Sequence, residues 1–348
     1  MKCPFREYLI TQKRTCQNGS TPHNPPMKTT SMAGIGFPIS HKENEHRRAI
    51  LPVDIWRCAH PECLVIEAGY GNVLNFSDSD YVAAGARVVS REEVLKQPIV
   101  CDPKVGDADY LSQLKGQTIF GWVHAVLNRD ITDKIIFGRL TAYAWEEMYE
   151  GGRHVFWRNN EIAGEAAIAH AYLCHGVFPY STKVAVLGRG NTARGAIRAL
   201  YSMGADVRQY ERHSEALFRN EMGEYDVIVN AILWDKMRKD HIVYRSDLRR
   251  LKRGAMIVDI SCDRAGAIET SIPTTIADPV YMVDGVLHYV VDHTPALFYK
   301  STSEAISHVL PPYLDSLIEG KWCGNGKALI VKDGVIVDQT ISLFQGRT

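Results

Sequence analysis

A glycine-rich turn constrains the fold of this chain more than any other feature of its sequence. In "VAVLGRGNTARGA", Gly188, Gly190 and Ala193 form the pattern G-x-G-x-x-A between an apolar run and a helical pattern. The first glycine permits a tight turn, the second lets the backbone approach a pyrophosphate, and the small third residue lets helix and strand pack closely. The stretch therefore predicts a βαβ unit that holds a dinucleotide at a helix N-terminus. The residues predicted to bind it are Gly188, Arg189, Gly190, Asn191, Thr192 and Ala193.

Two neighbouring residues at the end of the next strand bear on the choice of cofactor. Glu211 ends the strand about 20 residues after the loop, where a carboxylate binds ribose hydroxyls and repels a 2′-phosphate. That position favours NAD(H). Arg212 follows directly, with Arg208 and His213 close in sequence, and a guanidinium that holds a phosphate favours NADP(H). The residues alone leave both cofactors open.

Apolar strands alternate with short helical patterns along most of the chain, which indicates parallel βαβ units. They form two series joined by the alanine-rich segment "NNEIAGEAAIAHAYLCHG", which predicts a long connecting helix. We therefore predict an α/β protein with two Rossmann-like domains, parallel sheets and an intervening cleft. The dinucleotide-binding domain is expected at residues 158–302, and a discontinuous substrate domain at residues 33–157 plus 303–348.

Local patterns make further predictions about the elements of the first domain. The segment "EHRRAILPVDIWRCA" predicts a helix region, and "GQTIFGWVHAV" predicts a strand that ends at His124. Residues 303–318 have helical spacing, and Pro311 and Pro312 within them predict a kink or a break. The tail "KALIVKDGVIVDQ" predicts a hairpin.

The composition excludes several classes of function. Lys plus Arg and Asp plus Glu both number 40, which argues against nucleic-acid and membrane-surface partners. No apolar run is long enough to span a bilayer. The cysteines are scattered singly, which favours a reduced, cytoplasmic setting. The group "CAHPEC" lacks a second ligand pair, so no metal site is expected.

The first residues of the chain differ from the rest. Residues 1–32 are polar, proline-rich near their end, and without an apolar core of a secretory signal. We expect a disordered extension there, with Met27 or Met32 as alternative initiators. A transit peptide stays open as an alternative, because the segment is basic and poor in acidic residues.

Four polar residues lie at predicted strand or loop ends, where the sites of α/β proteins are found. Arg47 could grip a carboxylate bidentately, and Lys104 could bind a carboxylate or a carbonyl oxygen. His124 could donate a proton near neutral pH, and Asp263 follows the strand of "AMIVDIS". For each residue the sequence also allows a surface or structural role.

Blocks of sequence in a fixed order resemble a known family. They are "GFPISHKENEHRRAILP", "FGWVHAVLNRDITD", "FWRNNEIAGEAAIAHA", "VLGRGNTARGA", "VDISCDRAGAIET" and "VVDHTPALFYKSTS". Together they resemble the alanine dehydrogenase and pyridine nucleotide transhydrogenase superfamily, over a span from Ile35 to Tyr313. The segments "RNNEIAGEAAI" and "VDHTPALFYK" are similar to its ornithine-condensing branch.

The resemblance implies an activity and an assembly state. The activity is the reductive condensation of pyruvate with the side-chain amine of ornithine or lysine, with hydride from NAD(P)H. Its partners are small molecules, a keto acid and an amino acid, and the chain is expected to form a homo-oligomer. The alternatives are an alanine dehydrogenase, which uses ammonia, and a catalytically silent nucleotide-binding module. The resemblance also favours NADP(H) over NAD(H) by a small margin.

The resemblance further implies roles for individual residues. Arg47 and Lys104 would bind pyruvate, His124 would exchange the proton, and Asp263 would lie near the nicotinamide. His293 stands where alanine dehydrogenases have an asparagine, which leaves its role open.

A further pair is a candidate for selecting the amino acid. Arg158 and Glu161 could meet the carboxylate and the α-amine of a diamino acid. The alternative is a helix entry, with Asn160 as the cap and Glu161 in the first turn.

Overall fold

The computed structural model describes residues 32–235, 238–264 and 266–347. The prediction for the N-terminal extension therefore lies outside the described residues, except at Met32.

The strands and helices of the described residues follow one another in alternation. The strands are β1 (Ile35–Phe37), β2 (Leu64–Glu67), β3 (Arg87–Val89), β4 (Ile99–Cys101), β5 (Thr118–Gly121), β6 (Thr141–Ala144), β7 (Tyr149–Glu150), β8 (Arg153–His154), β9 (Lys183–Leu187), β10 (Asp206–Tyr210), β11 (Val227–Asn230), β12 (Met256–Asp259), β13 (Val280–Val283), β14 (Val286–Tyr289), β15 (Leu329–Lys332) and β16 (Val335–Ile336). The α-helices are α1 (Pro52–Ile55), α2 (Asp78–Ala83), α3 (Arg91–Leu95), α4 (Arg129–Phe137), α5 (Trp157–His175), α6 (Asn191–Ser202), α7 (Glu215–Glu221), α8 (Tyr299–Val309), α9 (Pro311–Ile318) and α10 (Gln339–Gln345).

The first sheet has eight strands, in the order β16-β15-β6-β5-β4-β1-β2-β3. Strands β1 to β6 are parallel and have the spatial order of a Rossmann fold, with a switch point between β1 and β4. Strand β15 adds to β6 in antiparallel orientation and pairs with β16. The central strands β1 and β4 are buried along their length, which is why both read as continuous apolar runs.

The second sheet has six strands, in the order β10-β9-β11-β12-β14-β13. All of its neighbours are parallel except β13 and β14. The glycine-rich turn joins β9 to α6 at the switch point between β9 and β11. Gly188 has a φ of +114°, and a Cβ there would lie 2.7 Å from the carbonyl oxygen of Ala231. Only glycine fits that turn.

Helix α5 connects the two sheets and packs closely against α6. A Cβ at Gly164 would lie 2.1 Å from the carbonyl oxygen of Thr192, and one at Gly195 would lie 1.9 Å from that of Glu161. The two glycines thus allow the helix backbones to touch. The predicted long helix is confirmed, and Gly164 within it permits the close approach.

The predicted α/β class with two Rossmann-like sheets is confirmed. The helix break near Pro311 is confirmed as well, because α8 ends at Val309 and α9 begins at Pro311. The tail forms the predicted hairpin, β15–β16. The residue bounds given above for the two domains stay a prediction. Within the described residues, no helix has the length and apolar character needed to cross a membrane.

Two local predictions in the first domain were wrong. The segment after β1 is helical only at Pro52–Ile55. Before it, the backbone N–H groups of Arg47 and Arg48 donate to the Glu45 carboxylate and the Ser303 hydroxyl, at 2.9 and 2.8 Å, instead of to helical carbonyls. Strand β5 ends at Gly121, so His124 lies beyond the strand.

Candidate active site

Residues that follow strands of both sheets line a cleft of about 1230 Å³. Those after strands of the first sheet include Trp122, His124, Glu146 and Glu147, and those after strands of the second include Gly188, Glu211, Ala231 and Asp263. His124 and the glycine-rich turn line the same cavity, although His124 and Gly188 are 64 positions apart in the sequence (188 − 124). The intervening cleft expected from the sequence is therefore present.

The glycine-rich turn forms one wall of the cleft. The residues of the predicted dinucleotide set that line it are Gly188, Arg189, Gly190, Asn191, Thr192, Glu211 and Arg212. Ala193 is fully buried beneath the turn, as its packing role requires. A Cβ at Gly190 would meet no protein atom within 4 Å. That open space beside the N-terminus of α6 fits a bound pyrophosphate.

Arg189 and His213 lie close to Glu211 at the end of β10. The Glu211 carboxylate lies 3.5 Å from Arg189 and 3.9 Å from the ring of His213. Arg212 is exposed and lines the same wall. Within the described part of the chain, no carboxylate lies within ion-pairing distance of Arg212. The wall thus carries a paired carboxylate and an available guanidinium.

His124 is held in an uncommon backbone conformation at the opposite wall. Its φ is +54°, in the left-handed region. The Glu146 carboxylate, at the end of β6, accepts the backbone N–H of His124 at 2.6 Å and that of Val123 at 3.1 Å. These two hydrogen bonds fix the turn and direct the imidazole into the cleft, where it is exposed.

A group of charged side chains lies close to His124. Lys104 contacts Asp107 at 2.9 Å, and Lys42 contacts Asp107 at 3.1 Å and Asp292 at 3.0 Å. Burial disfavours the Asp107 carboxylate, but the charges of Lys104 and Lys42 outweigh it and lower its pKa to about 2. Partial desolvation of the ring inside the cleft and then the charge of Lys104 lower the pKa of His124 below its ordinary value. The free imidazole is therefore neutral near pH 7.

Arg47 lies beneath the cleft and does not line it. It is 4% exposed, and its guanidinium donates to Glu45 at 2.8 and 2.5 Å and to Asn159 at 3.2 Å. It also lies 5.3 Å from the ring centre of Trp122, which does line the cleft. Lys104 is likewise 4% exposed. Both predicted pyruvate-binding cations are thus buried with carboxylate partners.

His293 and Asp263 follow strands of the second sheet. His293 is buried, with one ring nitrogen 2.5 Å from Asp292 and the other 3.0 Å from the carbonyl oxygen of Glu43. It therefore joins the end of β14 to the loop after β1. Asp263 lines the cleft after β12, on the same side as the glycine-rich turn. The structure places Asp263 in the cleft and His293 in a contact behind it.

Arg158 and Glu161 lie on α5, where neither lines the cleft. Arg158 contacts Glu161 at 3.1 Å and Glu165 at 2.9 Å, and Arg198 of α6 contacts Glu161 at 3.2 Å. Their charges are therefore balanced within the contact between the two helices. Helix α5 begins at Trp157, so the alternative with Asn160 as its cap was wrong. The predicted role of this pair in selecting the amino acid stays a prediction.

The site contains residues that the sequence analysis did not identify. They are Lys42, Glu45, Asp107, Glu146, Arg153 and Asp292. Asp107 lies three residues after Lys104, and Asp292 lies one residue before His293. This proximity in the sequence could have identified both carboxylates as part of the site. Glu45 and Glu146 had no such signal, because their partners follow from the fold. In the described ranges, no group of three or more His, Cys, Asp or Glu side chains could hold a metal ion.

Models of two protein domains match most of the chain. The model described as "Alanine dehydrogenase/PNT, N-terminal domain" matches residues 36–157, and that of the C-terminal domain matches residues 210–346. The chain is 33% identical to an N(5)-(carboxyethyl)ornithine synthase of Clostridium botulinum, over 81% of this chain and 94% of that protein. The protein of the same name from Lactococcus lactis subsp. lactis is 31% identical, over 79% and 94%. An alanine dehydrogenase of Mycolicibacterium smegmatis is 26% identical, over 88% and 95%.

Solved structures share the fold. An L-alanine dehydrogenase superposes with a TM-score of 0.73 at 23% identity, over 90% of this chain and 99% of that one. A transhydrogenase from Sinorhizobium meliloti gives a TM-score of 0.70 at 19% identity, over 88% and 99%. These superpositions show that the two sheets are arranged in the same fold.

Proposed function

The chain belongs to the alanine dehydrogenase/PNT family, and from that membership we propose that it is a nicotinamide-nucleotide-dependent oxidoreductase that joins a keto acid to an amino acid. The family resemblance inferred from the sequence blocks is confirmed. The reaction proposed is the condensation of pyruvate with the side-chain amine of ornithine or lysine. Relatives at 31–33% identity, named carboxyethylornithine synthases, support this reaction over the use of ammonia.

The proposed chemistry balances in three steps. The neutral side-chain amine attacks the keto carbon of pyruvate, and loss of water gives an imine. The cofactor would supply a hydride to the imine carbon, and this reduction gives a secondary amine. The product is an N-(carboxyethyl) amino acid, and one proton is consumed overall.

The observation that carries the proposal is the position of His124 across the cleft from the glycine-rich turn. We assign His124 as the donor that protonates the departing oxygen, and Asp263 as the group that orients the amine. Arg47 and Lys104 supply positive charge for the pyruvate carboxylate. Arg47 is already paired with Glu45, and Lys104 with Asp107. The pyruvate carboxylate must therefore bind beside one of these ion pairs or displace its carboxylate.

A substrate screen tests this function. Consumption of reduced cofactor would be followed with pyruvate, 2-oxoglutarate or glyoxylate, each combined with ornithine, lysine or ammonia. We expect turnover with pyruvate and ornithine or lysine, and none with ammonia. Turnover with ammonia alone would make the protein an alanine dehydrogenase. Cofactor binding without any turnover would make it a silent nucleotide-binding module.

For the cofactor we propose NADP(H). The support is the exposed guanidinium of Arg212, which has no carboxylate partner among the described residues, beside a Glu211 that Arg189 already contacts. A guanidinium in that position can bind a 2′-phosphate.

The Arg212→Ala variant is expected to raise KM for NADPH by about 10-fold or more, from loss of a charge-assisted contact, and to leave KM for NADH nearly unchanged. Initial rates with both cofactors provide the measurement, and Arg208→Ala, on strand β10 just before Arg212 but paired with Glu221, is the control. A clear preference of the unmodified enzyme for NADH would instead make Glu211 the ribose ligand.

We also propose that the chain forms a homo-oligomer. Large apolar side chains are exposed near the C-terminal end of α5, where Leu173 is 80%, Phe178 68% and Tyr180 69% exposed. Such a patch is typical of a surface that another chain covers. Light scattering coupled to size-exclusion chromatography measures the mass directly.

A further inference from the structure

A diamino acid carries two charges that take no part in the proposed reaction. Its α-carboxylate and α-ammonium lie at the end of the molecule opposite the reacting side-chain nitrogen. An enzyme that uses ornithine in preference to a simple amine needs groups that recognise this end. Arg158 and Glu161 are balanced by each other and by neighbours on α5 and α6. Other groups that could recognise this end lie on the cleft wall beside His124.

That wall includes the hairpin β7–β8, which follows β6 and Glu146. Tyr149, Gly152, Arg153 and His154 of the hairpin line the cleft. His154 is buried, and its Nδ1 accepts the backbone N–H of Phe156 at 3.1 Å, which leaves Nε2 to carry the proton. The hairpin thus presents polar groups on the same side of the cavity as His124.

Arg153 differs from most other arginines of the cleft. Arg194 pairs with Glu161 at 3.6 Å, and Arg238 pairs with Glu215 at 3.1 Å. No carboxylate of the described residues lies within ion-pairing distance of Arg153. Arg212 shares this property, but it follows β10 on the cofactor wall.

The guanidinium of Arg153 is nevertheless held in place. It lies 3.7 Å from the ring centre of Trp157, at the start of α5. Stacking on an aromatic face restrains a guanidinium while its N–H groups at the edge stay available for a planar anion. A restrained arginine without a carboxylate partner, on a cleft wall, is typical of a site for an anionic ligand.

We propose that Arg153 binds the α-carboxylate of the amino acid co-substrate. This inference rests on the proposed function, since it assigns the recognition of the amino acid in that reaction. It places the selectivity for a diamino acid on the hairpin β7–β8 and not on the Arg158–Glu161 pair.

The test compares two amines that differ only in the α-carboxylate. Ornithine and 1,4-diaminobutane would each be supplied with pyruvate and NADPH to the wild type and to Arg153→Ala. We expect Arg153→Ala to lower kcat/KM for ornithine by about 30-fold or more, as for a lost charge-assisted contact, through KM. Its kcat/KM for 1,4-diaminobutane is expected to stay within about twofold of wild type, because that amine has no carboxylate to lose.

The control is Arg57→Ala, at an arginine that pairs with Asp54 at 3.0 Å and lines a second cavity of about 390 Å³, which Arg153 also lines. It is expected to keep the wild-type ratio of the two amines. Arg158→Ala is the rival: if it abolishes the preference for ornithine and Arg153→Ala does not, the inference is overturned. The thermal midpoint of each variant shows that it is folded.

Failure of the inference is distinguishable from failure of the proposed function. A wild type that prefers ornithine, with an Arg153→Ala variant that keeps the preference, overturns the inference alone. A wild type that uses ammonia and neither diamine overturns the proposed function, and the inference with it.

Discussion

The His124→Ala variant is expected to lower kcat by about a hundredfold or more, as for the loss of a general acid. The fold should survive, because the imidazole is exposed to the cleft and its removal leaves no buried cavity. The initial rate of NADPH oxidation with saturating pyruvate and ornithine gives kcat. Near-wild-type turnover would remove His124 from the mechanism.

The backbone at His124 calls for a second variant. Its φ of +54° is unfavourable for alanine, whereas asparagine adopts this region readily. His124→Asn therefore removes the proton donor while it preserves the turn held by Glu146. Equal losses of kcat in both variants would assign the effect to the missing imidazole. A loss in the alanine variant alone would assign it to the backbone.

The pH dependence of kcat/KM follows from the direction in which the pKa of His124 is shifted. Partial desolvation inside the cleft and the charge of Lys104 lower the pKa of His124, so the ring is neutral in the free enzyme near pH 7. The reductive reaction needs the protonated ring, and its kcat/KM should fall as the pH rises through that pKa. The reverse reaction needs the neutral ring, and its kcat/KM should rise over the same range. His124→Asn should lack this dependence in both directions.

The Arg47→Ala variant is expected to lose about 3–5 kcal/mol of unfolding free energy. Arg47 is the partner of Glu45, whose side chain is 0% exposed. Burial opposes ionisation of Glu45, yet the charge and hydrogen bonds of Arg47 keep its pKa below the ordinary value. Without the guanidinium, a carboxylate is left buried and unpaired. Urea denaturation measures the loss, with one value of the slope of unfolding free energy against urea concentration used for all variants.

A double variant separates charge burial from packing. Glu45→Gln combined with Arg47→Met removes both charges and keeps most of the volume, so it should recover much of the stability lost in Arg47→Ala. A double variant as unstable as Arg47→Ala would mean that the contact with Asn159 or Trp122 matters more than the charge pair.

The role of Arg47 in binding is a separate question. In variants that stay folded, loss of a charge-assisted contact to pyruvate should cost about 2–3 kcal/mol of keto-acid binding. The double variant Glu45→Gln with Arg47→Met removes the cation without leaving Glu45 unpaired, so it suits this measurement better than Arg47→Ala. An unchanged KM for pyruvate beside a weakened cofactor would contradict the assignment.

The sequence by itself determined the class of fold and the glycine-rich turn that forms one wall of the cleft. Gly188, Gly190 and Ala193 specify a local backbone path, and the apolar runs of β9 and β11 specify a buried parallel sheet. Both depend on neighbours in the chain, so a motif read over a few residues is sufficient. The same holds for the break between α8 and α9, which proline imposes at its own position.

Only the tertiary structure decided which charges remain available to a ligand. Arg47 and Arg158 both looked like substrate-binding arginines, yet each has a carboxylate partner, and Arg158 shares its partner Glu161 with Arg198 of another helix. Arg153 carried no distinguishing motif and has no such partner among the described residues. The physical reason is that a long charged side chain is neutralised by an opposite charge within about 4 Å. Loops from strands that are distant in the sequence determine which charges lie that close.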